Sequence, residues 1–245
     1  MRFSNSIIRT TLLILTSALL NPSIQVNAYW TKIHLRIEGS NRNIFEDTIY
    51  TAGHIVTTAL GGTHECDGTN NGAHTTPGAT IISAIDDAVS KWDGKWEKEF
   101  RDYFITSISG DSSTEDESWG LLIKYKFVDK GGCRTQVAAD DQVLVAFDAL
   151  RATAFLDLSV AKSTVRTDED VVFTVVNGAN RQPVADAVIS TLGADDPTAT
   201  TNSEGKATIL FQSPAMYEYK ARKDGTIRSN KVIVTATSAA RRNTI

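Results

Sequence analysis

The chain has 245 residues, of which 41% are hydrophobic and 22% are charged, and its formal net charge at pH 7 is −4. This hydrophobic content favours a packed core over a disordered chain. The acidic balance argues against nucleic acid or an anionic lipid surface as a partner, and the length is comfortable for two domains.

The first 28 residues have the three parts of a secretory signal peptide. Arg2 and Arg9 give the N-terminal region a positive charge, and Leu12–Leu20 form a mainly apolar run. Residues 26–28 (Val-Asn-Ala) place small side chains at the positions that a signal peptidase recognises. A membrane-spanning helix needs roughly 20 apolar residues, and this run is shorter, so a cleaved signal is preferred to a membrane anchor. The sequence therefore predicts a secreted, extracellular protein without a membrane span.

The chain contains two cysteines, Cys66 and Cys133. In an oxidising compartment an even pair favours a disulfide bond. Because the loop it would close is long, the chain-entropy model gives a stabilisation on the order of 4 kcal/mol. The alternative is a free thiolate that acts as a metal ligand or nucleophile, and the disulfide is preferred.

Residues 29–150 mix predicted strands with one strong helix. Residues 33–37 alternate apolar and polar side chains as a half-buried strand does, and residues 44–50 form the return strand of a hairpin. The glycine-rich, polar segment 61–78 predicts a long loop. Further strands are predicted at residues 104–108, 120–128 and 141–147.

The predicted helix of this first domain follows the loop. Thr76 is suited to the N-cap and Pro77 to the first helical position, and Asp93-Gly94 ends the segment. The fold class predicted for the domain is α+β, with one main helix covering a face of a mixed or antiparallel sheet. The apolar face that recurs at helical spacing consists of Ile81, Ile82, Ile85, Ala88, Val89 and Trp92.

Residues 155–237 change to short strands separated by turn signals, without helical periodicity. This spacing predicts an all-β sandwich, and residues 238–245 are expected to form a flexible tail. The short connection after residue 150 predicts two domains that lie close together. Strands are predicted at residues 155–160, 171–176, 187–191, 207–211, 216–221 and 231–236.

Three segments of the first domain match a known pattern: Ile33–Gly39 with its return at Ile44-Phe45, the helix within Ala79–Lys91, and the closing Ala139–Leu144. With them the domain resembles the transcobalamin-type C-terminal domain family, a β-grasp-like module of secreted proteins. Some members help to hold cobalamin against a separate helical barrel domain. This chain has no such barrel, so cobalamin binding does not carry over.

Four segments of the second domain carry another resemblance: Pro183–Val188, Thr201–Ala207, Tyr217–Ala221 and Ile227–Asn230. With them the domain resembles the bacterial-type immunoglobulin-like repeats of surface proteins. The resemblance implies an immunoglobulin-like sandwich that serves as a spacer or binding module and carries no chemistry of its own.

Aromatic residues are dense in the first domain: Trp92, Trp96, Tyr103 and Phe104, with Trp119 later in the chain. If exposed, such rings would suit stacking on a sugar or an apolar ligand. Core packing is the alternative, and helical spacing favours it for Trp92. The speculative ligand-binding residues are therefore Trp96, Trp119 and Tyr103.

The loop that contains His64, Glu65, Asp67 and His74 is the candidate metal site. Imidazole and carboxylate groups could converge there on a transition metal. Structural zinc sites have paired, closely spaced ligands, and a second pair is missing here. A glycine-rich loop fixed by the disulfide is therefore preferred; no cofactor is expected, and a metal ion is the minor alternative.

Familiar catalytic motifs are missing from the sequence, including the Gly-x-Ser-x-Gly elbow and the zinc-binding His-Glu-x-x-His. The leading hypothesis is a secreted, non-enzymatic binding or structural protein whose first domain recognises a ligand or partner. The alternative is an enzyme or a metal-dependent accessory protein that uses the His64–His74 loop. The expected partner is an extracellular small molecule, a glycan or a protein.

Overall fold

The computed structural model describes residues 30–192 and 198–238. The predicted signal peptide and residues 239–245 of the predicted tail lie outside these ranges, so both stay predictions. Within the described ranges the chain is mostly β, with several sheets and one α-helix. That helix is not of the length and hydropathy needed to cross a membrane, and the described ranges contain no other candidate.

The N-terminal unit contains ten strands and one α-helix among the described residues. In chain order they are β1 (Thr31–Glu38), β2 (Asn43–Thr51), β3 (His54–Thr58), β4 (Gly62–Cys66), α1 (Ile81–Ala88), β5 (Trp92–Glu97), β6 (Asp102–Ile108), β7 (Asp111–Ser112), β8 (Trp119–Ile123), β9 (Lys126–Phe127) and β10 (Gln142–Phe147).

A five-stranded mixed sheet with the order β2-β1-β10-β8-β9 organises this unit. The first strand, β1, pairs in parallel with the last, β10, and antiparallel with β2. A two-stranded sheet, β3-β4, and a three-stranded sheet, β5-β6-β7, complete the unit. The predicted hairpin of residues 33–37 and 44–50 is confirmed, with strands slightly longer than expected.

One face of the mixed sheet forms the core of the unit. Ile33, Leu35 and Ile37 of β1 lie there with Val143 and Val145 of β10, and all five are buried. The helix and the smaller sheets pack on this face. Since successive strand residues point to opposite faces, the apolar positions of β1 enter this core and its polar positions face the other side.

The helix α1 begins later than predicted. Thr80 is its N-cap: the Ser83 N–H donates to the Thr80 hydroxyl at 3.1 Å, and the Thr80 N–H donates to the Ser83 hydroxyl at 2.9 Å. This capping box satisfies two free backbone donors, so the predicted start at Thr76 and Pro77 is wrong. The helix ends at Ala88, and Trp92 begins β5 instead of closing the helix.

The predicted loop 61–78 contains a strand that the sequence did not reveal. β3 and β4 form a hairpin with His54 opposite Cys66, and Gly62 has a φ of 77° at its turn, where glycine is favoured. The sequence of β4 is polar, and tertiary context makes it a strand: pairing with β3 and burial of Cys66 outweigh its weak propensity.

The predicted disulfide between Cys66 and Cys133 is confirmed, with Cα atoms 4.6 Å apart and a sequence separation of 67 residues. Both residues are fully buried. The bond ties the end of β4 to the segment that leads into β10.

The C-terminal unit contains nine strands among the described residues. They are β11 (Ala154–Val160), β12 (Thr164–Arg166), β13 (Asp170–Asn177), β14 (Val188–Thr191), β15 (Ala199–Thr200), β16 (Lys206–Leu210), β17 (Ala215–Arg222), β18 (Thr226–Ile227) and β19 (Val232–Thr237).

These strands form two sheets, β16-β13-β11-β18 and β12-β19-β17-β14-β15. Residues from both sheets share one core, with Leu156 and Phe173 from the first and Ile189 and Val234 from the second. The predicted β-sandwich is confirmed. The short strands β12, β15 and β18 were not predicted, because two or three residues are too few to show a period of two.

The second face of the mixed sheet packs against the sandwich. Leu122, Leu144 and Ala146 form a buried cluster there with Phe155 of β11. Two polar residues of β1, Arg36 and Glu38, are buried at the same junction, and Glu38 is only 1% exposed. The second domain therefore covers part of the polar side of this strand. From its alternating sequence, this side was expected to face solvent.

Candidate functional site

The structure brings two of the three predicted aromatic ligand-binding residues together. Trp96 stacks on His64 with ring centroids 3.8 Å apart, and Tyr103 lies 4.9 Å from Trp96. Trp119 lies elsewhere, against Phe147 on the mixed sheet. The predicted set is therefore divided between two places.

These aromatic side chains are mainly packed inside the unit. Tyr103 is 4% exposed and Trp119 is 8% exposed. The Tyr103 hydroxyl lies 2.7 Å from the Gly62 carbonyl oxygen and 2.9 Å from that of Val56, so it joins the β3-β4 hairpin to β6. Trp96 alone of the three is half-buried. As ligand contacts these residues stay a prediction, and their geometry favours packing.

Trp92 also has a structural partner. Its indole N–H donates to Asp86 at 2.9 Å, and the other oxygen of the same carboxylate lies 3.1 Å from His54 Nε2. The hydrogen bond that His54 donates to the Asp86 carboxylate raises the pKa of His54. This small network joins α1 to β3 and β5, and it holds Trp92 in the unit.

The four candidate metal ligands do not converge. His64 Nε2 lies 3.0 Å from the Gly61 carbonyl oxygen, and the Asp67 carboxylate accepts hydrogen bonds from the backbone and the hydroxyl of Thr69. Across residues 30–192 and 198–238, no three His, Cys, Asp or Glu residues are grouped so that they could hold a metal ion. Metal binding by His64, Glu65, Asp67 and His74 stays a prediction without geometric support.

A cavity that was not predicted lies at the junction of the two domains. It has a volume of about 380 Å³, and we refer to it as the interdomain cleft. The first domain contributes His34, Leu35, Arg36, Glu46, Asp47, Thr48, Tyr125, Gln142, Val143 and Leu144, and the second contributes Asp157, Asn230, Lys231 and Ile233.

The floor of the interdomain cleft is the second face of the mixed sheet, at the polar positions of its strands. His34 of β1 and Thr48 of β2 pair across the two strands, and His34 Nδ1 lies 2.9 Å from the Thr48 hydroxyl. Gln142 of β10 is paired with His34 on the other side. Three neighbouring strands therefore place an imidazole, a hydroxyl and an amide side by side.

The wall of the cleft belongs to the sandwich and is firmly held. The Asn230 side chain forms two hydrogen bonds with the backbone of Leu158, both of 2.9 Å, so the segment before β19 is fixed to β11. Asp157 forms an ion pair with Arg181, and Lys231 forms one with Glu218 at 3.2 Å.

Tyr125 also lines the cleft. It sits in the turn between β8 and β9 with a φ of 62°, and the Arg36 guanidinium carbon lies 5.7 Å from its ring centroid. Burial raises the pKa of Tyr125 to about 12, so its hydroxyl stays protonated at neutral pH. A Cβ on Gly178 of the second domain would lie 2.4 Å from this ring, so glycine is needed for the close approach.

An ionic network fixes the two domains beside the cleft. Glu38 of the first domain accepts from Lys220 Nζ at 2.5 Å and from Arg228 Nε at 2.9 Å. Lys220 also reaches Glu46 at 2.7 Å, and the Lys231 N–H donates to Glu46 at 2.6 Å. Two carboxylates thus meet two cations, and the charges of the network balance.

Backbone contacts extend the same junction. Arg228 donates to the carbonyl oxygens of Gly39 at 2.7 Å and Arg42 at 2.8 Å. In the reverse direction, Arg36 donates to the Arg228 carbonyl oxygen at 3.1 Å. Since both partners supply donors and acceptors, the relative position of the two domains is specified by directional bonds as well as by apolar packing.

The interdomain cleft presents groups of both charges. Arg36 and Lys231 are cationic, whereas Glu46, Asp47 and Asp157 are anionic. Leu144 and Ile233 add apolar surface, and Ile233 is 41% exposed. A cavity with donors, acceptors and some apolar area, but no strong excess of one charge, suits an uncharged or zwitterionic polar ligand.

The comparisons with known proteins place the chain in no family. No family model matches the sequence, and no curated protein matches it. Among solved structures the chain is similar to the D00-D0 domain of Intimin, at 13% identity, over 78% of this chain and 90% of that chain, with a TM-score of 0.26. A likeness this weak carries no argument. The resemblance to the transcobalamin-type family gains no support from these comparisons and stays a prediction.

Proposed function

We propose that this chain is an extracellular, non-enzymatic binding protein that holds its ligand in the interdomain cleft. The observation that carries the proposal is the cleft itself. Its volume of about 380 Å³ lies within the range of roughly 300–1,000 Å³ that is usual for small-molecule sites, and such sites often lie between domains. The sheet of the first domain, with His34 and Gln142, would supply most of the contacts.

The rigidity of the junction supports this proposal. A site that is already formed avoids part of the entropy cost of binding. Here Asn230 is fixed by two hydrogen bonds, and Glu38 is held by two cations. The polar groups around the cleft are therefore positioned before a ligand arrives.

The predicted compartment and fold family belong to the same proposal. A disulfide between two buried cysteines is typical of proteins from oxidising compartments, which supports secretion. The strand order β2-β1-β10-β8-β9, with β1 parallel to β10 and one helix on a face of the sheet, supports a β-grasp-like first domain. An immunoglobulin-like second domain would then form the wall of the site.

The proposal can be tested by thermal shift with a library of amino acids, dipeptides, monosaccharides and short oligosaccharides. A ligand that binds only the folded state raises Tm by mass action, so we expect at least one compound to raise it by a few degrees. Gln142→Trp places a large ring on the exposed cleft position of β10, and it should abolish that shift.

A matched control is Thr208→Trp, which adds the same ring at an exposed position of β16, away from the cleft. This variant should respond to the same compounds as the wild type. The proposal is wrong if no compound shifts the wild type, or if Gln142→Trp responds as fully as Thr208→Trp does.

A further inference from the structure

The polar face of the mixed sheet continues beyond the interdomain cleft, where the second domain does not cover it. Two large aromatic side chains are exposed on this part of the chain: Trp30 is 66% exposed and Tyr50 is 62% exposed. Neither residue forms part of the cleft lining. We refer to Trp30, Lys32 and Tyr50 as the open face.

Strand register places the open face next to the cleft. Lys32 of β1 lies opposite Tyr50 of β2, and His34 lies opposite Thr48. Trp30 immediately precedes β1. Because alternate residues of a strand share a face, Trp30, Lys32 and His34 follow one another along one side of the sheet, and His34 and Thr48 already belong to the cleft.

The two exposed rings lie within reach of one elongated ligand. The pairing of β1 with β2 begins at Thr31 and Thr51; continued by one residue, this register makes Trp30 and Tyr50 diagonal neighbours, for which the Cα separation is about 7–8 Å. That distance is on the scale of a disaccharide. Thr48 lies two residues, or about 7 Å, from Tyr50 along β2, so a ligand that contacts both rings would extend by that distance to enter the cleft at His34 and Thr48.

The chemistry of this surface favours a neutral, hydroxyl-rich ligand. Lys32 is paired with Asp140 at 3.1 Å, so its charge is balanced, and the cleft contains both cations and anions. Tyrosine and tryptophan offer large, rigid contact area with a polar atom at the edge. Rings for stacking, next to amide, hydroxyl and imidazole groups, match a sugar chain better than an ion or a lipid.

The position of the rings also argues against an extended peptide. Peptides that are read by strand addition pair with the free edge of a sheet. A peptide of that kind would pair with the outer edge of β2, which is an edge strand of the mixed sheet, whereas Trp30 and Tyr50 lie on the face of the sheet. A ligand on this face must be recognised through ring surfaces and side chains.

We propose that the ligand of this protein is a neutral oligosaccharide, with one part in the interdomain cleft and the rest stacked on Trp30 and Tyr50. The inference rests on the proposed function and names its ligand class. It assigns to two residues outside the predicted site the role that the sequence had suggested for Trp96, Trp119 and Tyr103.

The test is calorimetric titration of the full secreted protein with four neutral hexasaccharides: cellohexaose, chitohexaose, laminarihexaose and mannohexaose. We expect at least one to bind. Trp30→Ala and Tyr50→Ala should each weaken that binding on the order of tenfold, as loss of an aromatic anchor does. Phe104→Ala removes another exposed aromatic ring, 53% exposed on β6, and should leave the affinity unchanged.

The outcomes separate the two proposals. Binding of none of the four sugars, or binding that both Trp30→Ala and Tyr50→Ala leave unchanged, overturns the oligosaccharide. If a dipeptide or an amino acid instead raises Tm and Gln142→Trp abolishes that rise, the proposed ligand class is wrong, and the interdomain cleft is still the binding site. If binding of a hexasaccharide depends on the two rings but is unchanged in Gln142→Trp, the open face is a binding site and the proposal of a ligand in the cleft is wrong.

Discussion

At the scale of single residues, Asp102 is a carboxylate that is buried inside the first domain. It is 4% exposed, and one oxygen accepts the N–H groups of Tyr103 and Cys133, both at 2.9 Å. The other oxygen is buried without a hydrogen-bond partner in the described part of the chain. Burial raises the pKa of Asp102 to about 6, because the charged form loses its solvation.

This pKa predicts a loss of stability as the pH rises. The carboxyl holds its proton more tightly in the folded chain than in the unfolded one, where its pKa is about 3.9. The folded state is therefore favoured at low pH, and that advantage disappears as the pH passes from about 4 to about 6. Relative to Asp102→Asn, the wild type should lose about 2 kcal/mol of unfolding free energy between pH 4 and pH 7.

Urea unfolding of the wild type and Asp102→Asn at several pH values measures this difference directly. A constant offset from packing of the amide does not matter, because the prediction concerns the change with pH. A difference that stays the same from pH 4 to pH 7 would show that Asp102 is already ionised at the lower pH.

At the scale of elements, the disulfide has the largest predicted effect. It joins Cys66 at the end of β4 to Cys133 across 67 residues of sequence. Replacing both residues with alanine should lower the free energy of unfolding by about 4 kcal/mol, mainly by freeing the unfolded chain. Denaturant unfolding with and without dithiothreitol measures it: reductant should destabilise the wild type and leave Cys66→Ala/Cys133→Ala unchanged. A wild type that is indifferent to reductant under unfolding conditions contradicts the prediction.

Elements with a clear hydrophobic period were predictable from the sequence. β13 of the sandwich and the first half of β1 bury alternate residues, and β10 buries the continuous apolar run Val143–Ala146; both patterns are local. The start of α1 was missed because Thr76 with Pro77 has the pattern of a helix start, whereas the Thr80–Ser83 capping box forms four residues later. β4 was missed because its residues are polar, and its strand form depends on β3 and on Cys66.

The site was less predictable than the fold, because its residues come from distant parts of the chain. His34 and Gln142 meet through parallel pairing of β1 with β10, and Asn230 and Lys231 approach only when the sandwich docks. The aromatic residues that were predicted as ligand contacts, Trp96, Tyr103 and Trp119, are mainly buried. No local pattern in the sequence indicated that Trp30 and Tyr50 would be exposed, because their exposure depends on how much of the sheet the second domain covers.

At the scale of the whole molecule, the two domains depend on the ionic network at their junction. Glu38 is 1% exposed and bonded to Lys220 and Arg228. Glu38→Gln would leave two partly buried cations without a full partner, so we expect a loss of about 3–5 kcal/mol in unfolding free energy. Equilibrium urea unfolding measures this loss.

Glu204→Gln is the matched control for that experiment. Glu204 forms an ion pair with Lys206 on the open surface, where both side chains are at least half exposed, so its removal should leave the stability unchanged. If Glu38→Gln is as stable as Glu204→Gln, the network does not hold the domains together.

The central claim is that ligand binds between the domains, and backbone-amide chemical shifts of isotopically labelled protein test it most directly. The titrant is the compound with the largest thermal shift in the library of amino acids, dipeptides and sugars. We expect the shifts to change in residues 32–36, 46–50, 142–144 and 230–233, which lie in both domains around the cleft. Changes confined to β3–β6, around His64 and Trp96, would contradict it.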